Sequence, residues 1–173
     1  MEFPTINSDG QALMKAMVEP EIVRVARTTG EAYAWNSQNI NIGTGETLLS
    51  IQNQHAKKDL VIDRFIFCAG DVSHRFEVFK ITAGYTPTGT AVPGVALGPR
   101  GGTGANAAVA ISDETGVNQV AANVFMEVSN ATLVTIEVKC GLVLGGGEGI
   151  GVDQIGEGAI AACMAFGYFR DRN

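Results

Sequence analysis

The side chains able to do chemistry are few in this 173-residue chain: two histidines, three cysteines, and 12 basic against 18 acidic groups. His74 stands beside Asp71 and Ser73, which invites a Ser/His/Asp reading. Neighbours on one turn rarely converge as a triad, and no G-x-S-x-G elbow presents a serine, so we expect no catalysis there. His55 sits in the polar hairpin loop Asn53–Asp59. A cupin-type metal site needs several histidines and a carboxylate from different strands, more than this chain supplies. Asp59 and Asp63 are spaced i, i+4 and would share one face of a strand. Glycosidase carboxylates of the retaining kind lie about 5 Å apart, whereas i and i+4 on a strand are roughly 13 Å apart. Asp63-Arg64 therefore reads as a polar break inside an apolar strand.

The remaining motifs read as structure. Cys68, Cys140 and Cys163 have no C-x-x-C spacing and fall in strand-like stretches, where a small buried thiol is expected. The run Gly145–Gly151 does not fit G-x-G-x-x-G, carries Glu148 where a phosphate would sit, and the chain has no Gly-Lys pair for a P-loop. A turn before a strand is the simpler reading. Tyr33 and Trp35 could stack on a sugar, but one Trp and three Tyr make a poor platform, and cross-strand packing is expected. No cofactor or metal is implied.

Composition narrows the class further. Charged residues are 17% of the chain, below the usual ~25%, and the net charge of −6 disfavours a nucleic-acid partner. The longest apolar run, Ala159–Phe169, has 11 residues, short of the ~20 a membrane helix needs. The start, Met-Glu-Phe-Pro, lacks the pattern of a secretory signal. Of the charged side chains, 18 lie in residues 1–82 and only nine in 83–169. Either that second segment is the buried half of the domain, or other chains cover its surface, and we expect the latter.

Residues 1–30 read as an N-terminal arm and 31–173 as one β-sandwich domain. Within Gln11–Val18 the residues Leu13, Met14, Met17 and Val18 form the apolar side of a short helix that Pro20 stops. Such a helix needs a neighbour, and we expect another chain to supply it. From Tyr33 onward the period is two, as in Val134, Ile136, Val138 and Cys140. Parity shifts suggest a kink near Ser37–Asn39 and a bulge between Val78 and Phe79. In the last strand Ile160, Met164, Phe166 and Tyr168 fall on one face and should fill the core. Ala159, Ala161, Cys163, Ala165 and Gly167 fall on the other, a row of small residues that should lie against the arm or a partner subunit, with Ala161 and Ala165 at the contact. Eight to ten antiparallel strands, several apolar on both faces, make an all-β, jelly-roll-like sandwich.

Two pieces of the chain carry a resemblance. Gly45–Asn53, a polar loop, then Lys58–Phe65 resembles the opening hairpin of small jelly-roll structural proteins of tailed bacteriophages. Gly141–Gly151, Gly158 and the apolar strand ending Gly167-Tyr-Phe-Arg170 match the closing pattern. The chain thus resembles the capsid decoration, or cement, proteins. The resemblance implies a non-enzymatic homotrimer on the virion surface that clamps neighbouring major capsid proteins and stiffens the shell. The alternative is a receptor- or glycan-binding module of a phage fibre or bacterial surface protein. That reading predicts exposed aromatics in loops, and Thr82–Ala105 contains only Tyr85.

Overall fold

Asn53 shows how the sandwich is tied together. Fully buried, it donates from Nδ2 to the carbonyls of Lys58 and Leu144, at 2.9 and 2.8 Å, and accepts from the His55 amide. One side chain thereby fastens the loop after residue 53 to a strand some ninety residues later. The computed structural model describes residues 5–6, 12–13, 19–38, 40–43, 46–70, 74–81, 86–99, 107–115, 117, 123–131, 133–155 and 160–172.

Five strands are two-residue pairs: β1 (Thr5–Ile6), β2 (Ala12–Leu13), β4 (Ile40–Asn41), β8 (Thr90–Ala91) and β9 (Val95–Ala96). The longer ones are β3 (Ala32–Asn36), β5 (Leu49–Asn53), β6 (Lys58–Ala69), β7 (His74–Ile81), β10 (Ala108–Ser112), β11 (Val124–Asn130), β12 (Thr135–Leu144), β13 (Gly149–Ile155) and β14 (Ile160–Asp171). The helix α1 spans Glu21–Thr28. Sheet 1 has the order β11-β7-β13-β5-β10-β8, and sheet 2 the order β12-β6-β14-β3-β9, with β4 also on β14. All ladders are antiparallel, and β1–β2 form a separate pair.

The pairing is nested. β5, β6 and β7 run outward and β11, β12 and β13 return, so that β7 meets β11, β6 meets β12 and β5 meets β13. Nested pairing of this kind across two sheets makes a β-sandwich. β14 then enters sheet 2 on the far side of β6, beside β3. Trp35, Phe65, Phe67 and Phe76 fill the space between the sheets, with Phe65, Phe67 and Phe76 stacked in succession.

Three expectations are corrected. Ala12–Leu13, expected in a helix, is strand, and the helix among the described residues follows Pro20, while Met14–Val18 lie outside them. Proline suits the start of a helix, where its missing N–H costs nothing. Ile22, Val25 and Ala26, spaced i, i+3, i+4, bury against Ala32, Val61 and Tyr168 on the outer face of sheet 2. Burial at about 1.5–3 kcal/mol per large side chain holds a helix too short to stand alone. Gly30, at φ 75°, ends it, its N–H returning to the Val25 carbonyl at 3.0 Å.

The parity change in β7 is not a bulge in that strand, whose ladder with β13 is continuous. Both faces are covered: Phe76 and Val78 face the core, while Phe79 packs with Ile81 and Val117 in a smaller cluster. The irregularity lies across the ladder, between Val124 and Met126 of β11.

The faces of β14 are the reverse of the expectation. Ala161, Cys163 and Ala165 are fully buried in the core, opposite Ala69, Phe67 and Phe65 of β6. Ile160 is 43% exposed, and Met164 and Phe166 are half-buried on the outside. β14 lies between two strands that aim large aromatic residues inward, so the core has room only for small side chains there. The alternation of β14 continues unbroken, with Phe169 inward and Tyr168 out beneath α1, because the register shift opposite Phe166 and Gly167 is taken up by β6, which skips Asp63. Ala161 and Ala165 are thus core residues, out of reach of a partner subunit. Ala159 lies outside the described residues.

Candidate interaction surface

His55, Asp59 and Asp63 make contacts that hold the fold. His55 Nδ1 accepts the amides of Lys57 and Lys58, at 3.0 and 3.1 Å, and its ring packs on Phe169. Asp59 takes Arg172 Nε at 2.6 Å, whereas Asp63 pairs with Arg64 at 3.2 Å, so the two carboxylates serve separate ion pairs. Asp63 is the residue left without a cross-strand partner where β6 slips against β14, which accounts for the polar break. The backbone of His74 lies in β7, while Asp71 and Ser73 lie outside the described residues. Tyr33 and Trp35 are both buried in the core.

The cysteines divide. Cys163 is buried, and burial pushes its thiol far above the usual range. Cys68 is half-buried and Cys140 is exposed, against the expectation of three buried thiols. Cys140 Sγ donates to the Ile62 carbonyl at 3.2 Å, and loss of solvation raises its thiol too. The run Gly145–Gly151 opens with a turn: Glu148 accepts the Gly145 amide and Lys80 Nζ, both at 2.8 Å. Among the described residues no three His, Cys, Asp or Glu side chains gather to hold a metal ion.

The outer face of sheet 2 carries mixed polar and apolar side chains, in rungs that follow from the register. The rung Ala32–Tyr168–Val61 is covered by α1. Next comes Ala34–Phe166–Arg64–Lys139, where the Arg64 guanidinium lies 4.6 Å over the Phe166 ring. Beyond it are Asn36–Met164–Ile66–Glu137 and Ala162–Cys68–Thr135. Asn36, Met164, Ile66, Ala162, Cys68 and Thr135 of these last two rungs, with Gln38, line an open cleft of about 360 Å³ with mixed polar and apolar walls. A second, more apolar cleft of about 490 Å³ lies between Lys80, Phe125, Val143 and Ile150.

The end of the sandwich beside the first cleft carries an apolar group. Leu133 N donates to the Ala69 carbonyl and Gly70 N to that of Ile160, each at 2.8 Å, which brings Leu133 and Ile160 to the two sides of one turn. Leu133 is 78% exposed and Val134 is exposed beside it. Leu133 also has φ 58°, a left-handed conformation that a leucine rarely adopts. Polar residues or glycine normally occupy such a turn, so an apolar pair between two strands was the sequence signal for this site.

The expected interface residues fall elsewhere. Ala161 and Ala165 lie in the core. Leu13 is in β2, opposite Thr5. Met14, Met17 and Val18 lie outside the described residues.

No protein-family model, curated protein or solved structure matches this chain.

Proposed function

We propose that this chain is a non-enzymatic structural protein of a virion, a decoration protein that sits on the outside of an icosahedral phage head and binds the major capsid protein. The supporting observation is where the exposed apolar side chains fall. Every large one among the described residues, except Val23, lies between Val95 and Ile160, inside the 83–169 segment that carries nine charges. An apolar, charge-poor surface is the kind that another protein covers. Leu133 favours the reading further, because an exposed leucine in a left-handed turn costs stability that a contact with another chain would offset. The nested β-sandwich pairing agrees with the resemblance carried by Gly45–Phe65 and Gly141–Arg170.

The test is co-sedimentation of the purified protein with phage heads stripped of their outer proteins. Leu133→Asp and Ile160→Asp should retain the fold and lose binding. If the parent protein binds no head surface but is retained by immobilised glycans, the receptor-binding alternative replaces this one.

A further inference from the structure

We infer that β12 is a self-complementary edge and that two copies of this chain pair through it, antiparallel, about a twofold axis at Val138. The inference goes beyond shell binding and does not rest on it. β12 ends sheet 2, and among the described residues no strand lies on its outer side. Thr135, Glu137, Lys139 and Cys140 are exposed along it. A long open edge presents unpaired amides and carbonyls that a second strand can satisfy.

Charge selects the partner and the register. Lys139 stands across the ladder from Arg64, a like charge, and makes no ion pair among the described residues. Glu137 lies two residues away on the same outer face, with Arg64 Nε at 3.7 Å. An antiparallel copy centred on Val138 places Glu137 opposite the second Lys139, and the symmetry repeats that pair. Centring on Glu137 would instead oppose two carboxylates, which destabilises a ladder. The slip between Lys139 and Leu142, with Gly141 at φ 58°, ends the regular stretch and limits other registers.

The other edges fit poorly. β11 has Glu127 exposed at its middle, so a copy centred there opposes like charges. β8 and β9 have two residues each. An isologous contact needs one patch to complement itself, and β12 is the long edge that does.

Sedimentation equilibrium of the full chain across a concentration series tests this. The parent should form a reversible dimer that weakens with added salt. Lys139→Glu, which leaves the Arg64–Glu137 pair in place, should weaken dimerisation roughly tenfold or more, as should Glu137→Lys; tenfold corresponds to about 1.4 kcal/mol. The double reversal Glu137→Lys with Lys139→Glu should restore it. A protein monomeric at every concentration overturns the inference. So does an oligomer of three copies indifferent to either reversal, or a double variant no tighter than the singles.

Discussion

The Phe79 ring lies directly on the bare backbone of Gly151, its cross-strand partner in β13; a Cβ built at Gly151 would come within 2.2 Å of the ring. Phe79 is fully buried, so the ring has nowhere to retreat. Gly151→Ala should therefore destabilise the fold by about 1–3 kcal/mol, the usual cost of overpacking. Combining it with Phe79→Leu should recover part of that loss. Urea unfolding of both variants measures the effect.

Ala165→Leu should act on the domain itself. Ala165 is fully buried, with Phe65 of β6 and Trp35 of β3 opposite it on either side. The added bulk meets large aromatic residues and should cost about 1–3 kcal/mol or more in unfolding free energy. The oligomeric state at concentrations where the variant remains folded should match the parent, which light scattering checks.

Leu133→Asn should trade binding for stability. The left-handed conformation costs a branched aliphatic residue roughly 1 kcal/mol, and asparagine tolerates it better. A rise in thermal midpoint, together with weaker attachment to heads, is the expected pair of results. A variant that binds as well as the parent removes Leu133 from the contact.

Glu148 should contribute to the acid limb of stability. The Lys80 ammonium, with help from the Gly145 amide, holds its carboxyl below the ordinary 4.5. A depressed carboxyl stabilises the folded state fully above about pH 4.5, and that stability drains away as the pH falls through the folded value. Lys80→Met and Glu148→Gln should each flatten the pH dependence below 4.5 while changing little else. Both side chains are largely open to solvent, so the effect should shrink in high salt.

How far the sequence could be read depended on whether local chemistry decided the matter. The turn at Gly145–Gly147 and the alternation of Ile136 and Val138 depend on nearby residues, and β12 and β13 lie where those signals place them. The kink after Asn36 was legible for the same reason: Gln38 takes φ 62°, and Ser37 bonds Cys163 through both its amide and its hydroxyl. Which face of β14 points inward depends on Phe65, Phe67 and Trp35, distant in sequence and brought alongside only by the sheet order. Size alone suggested Met164 and Phe166, and size was misleading. Pro20 was ambiguous because the same ring can end one helix or begin another. Val134 was read as the start of an ordinary strand, so the apolar pair it makes with exposed Leu133 at the turn was missed.

The position of β14 has a consequence for how the chain reaches this structure. It pairs with β6 on one side and β3 on the other, yet follows both by some ninety residues or more. During synthesis, β3 and β6 must wait, each with a bare edge, until residues 160–171 leave the ribosome. Long-range closure of this kind is slow, and bare edges in the interval invite pairing with the wrong chain. Shortening the chain before β14 should leave an aggregating product, and nascent chains stalled there should gain protease resistance only after Asp171 emerges.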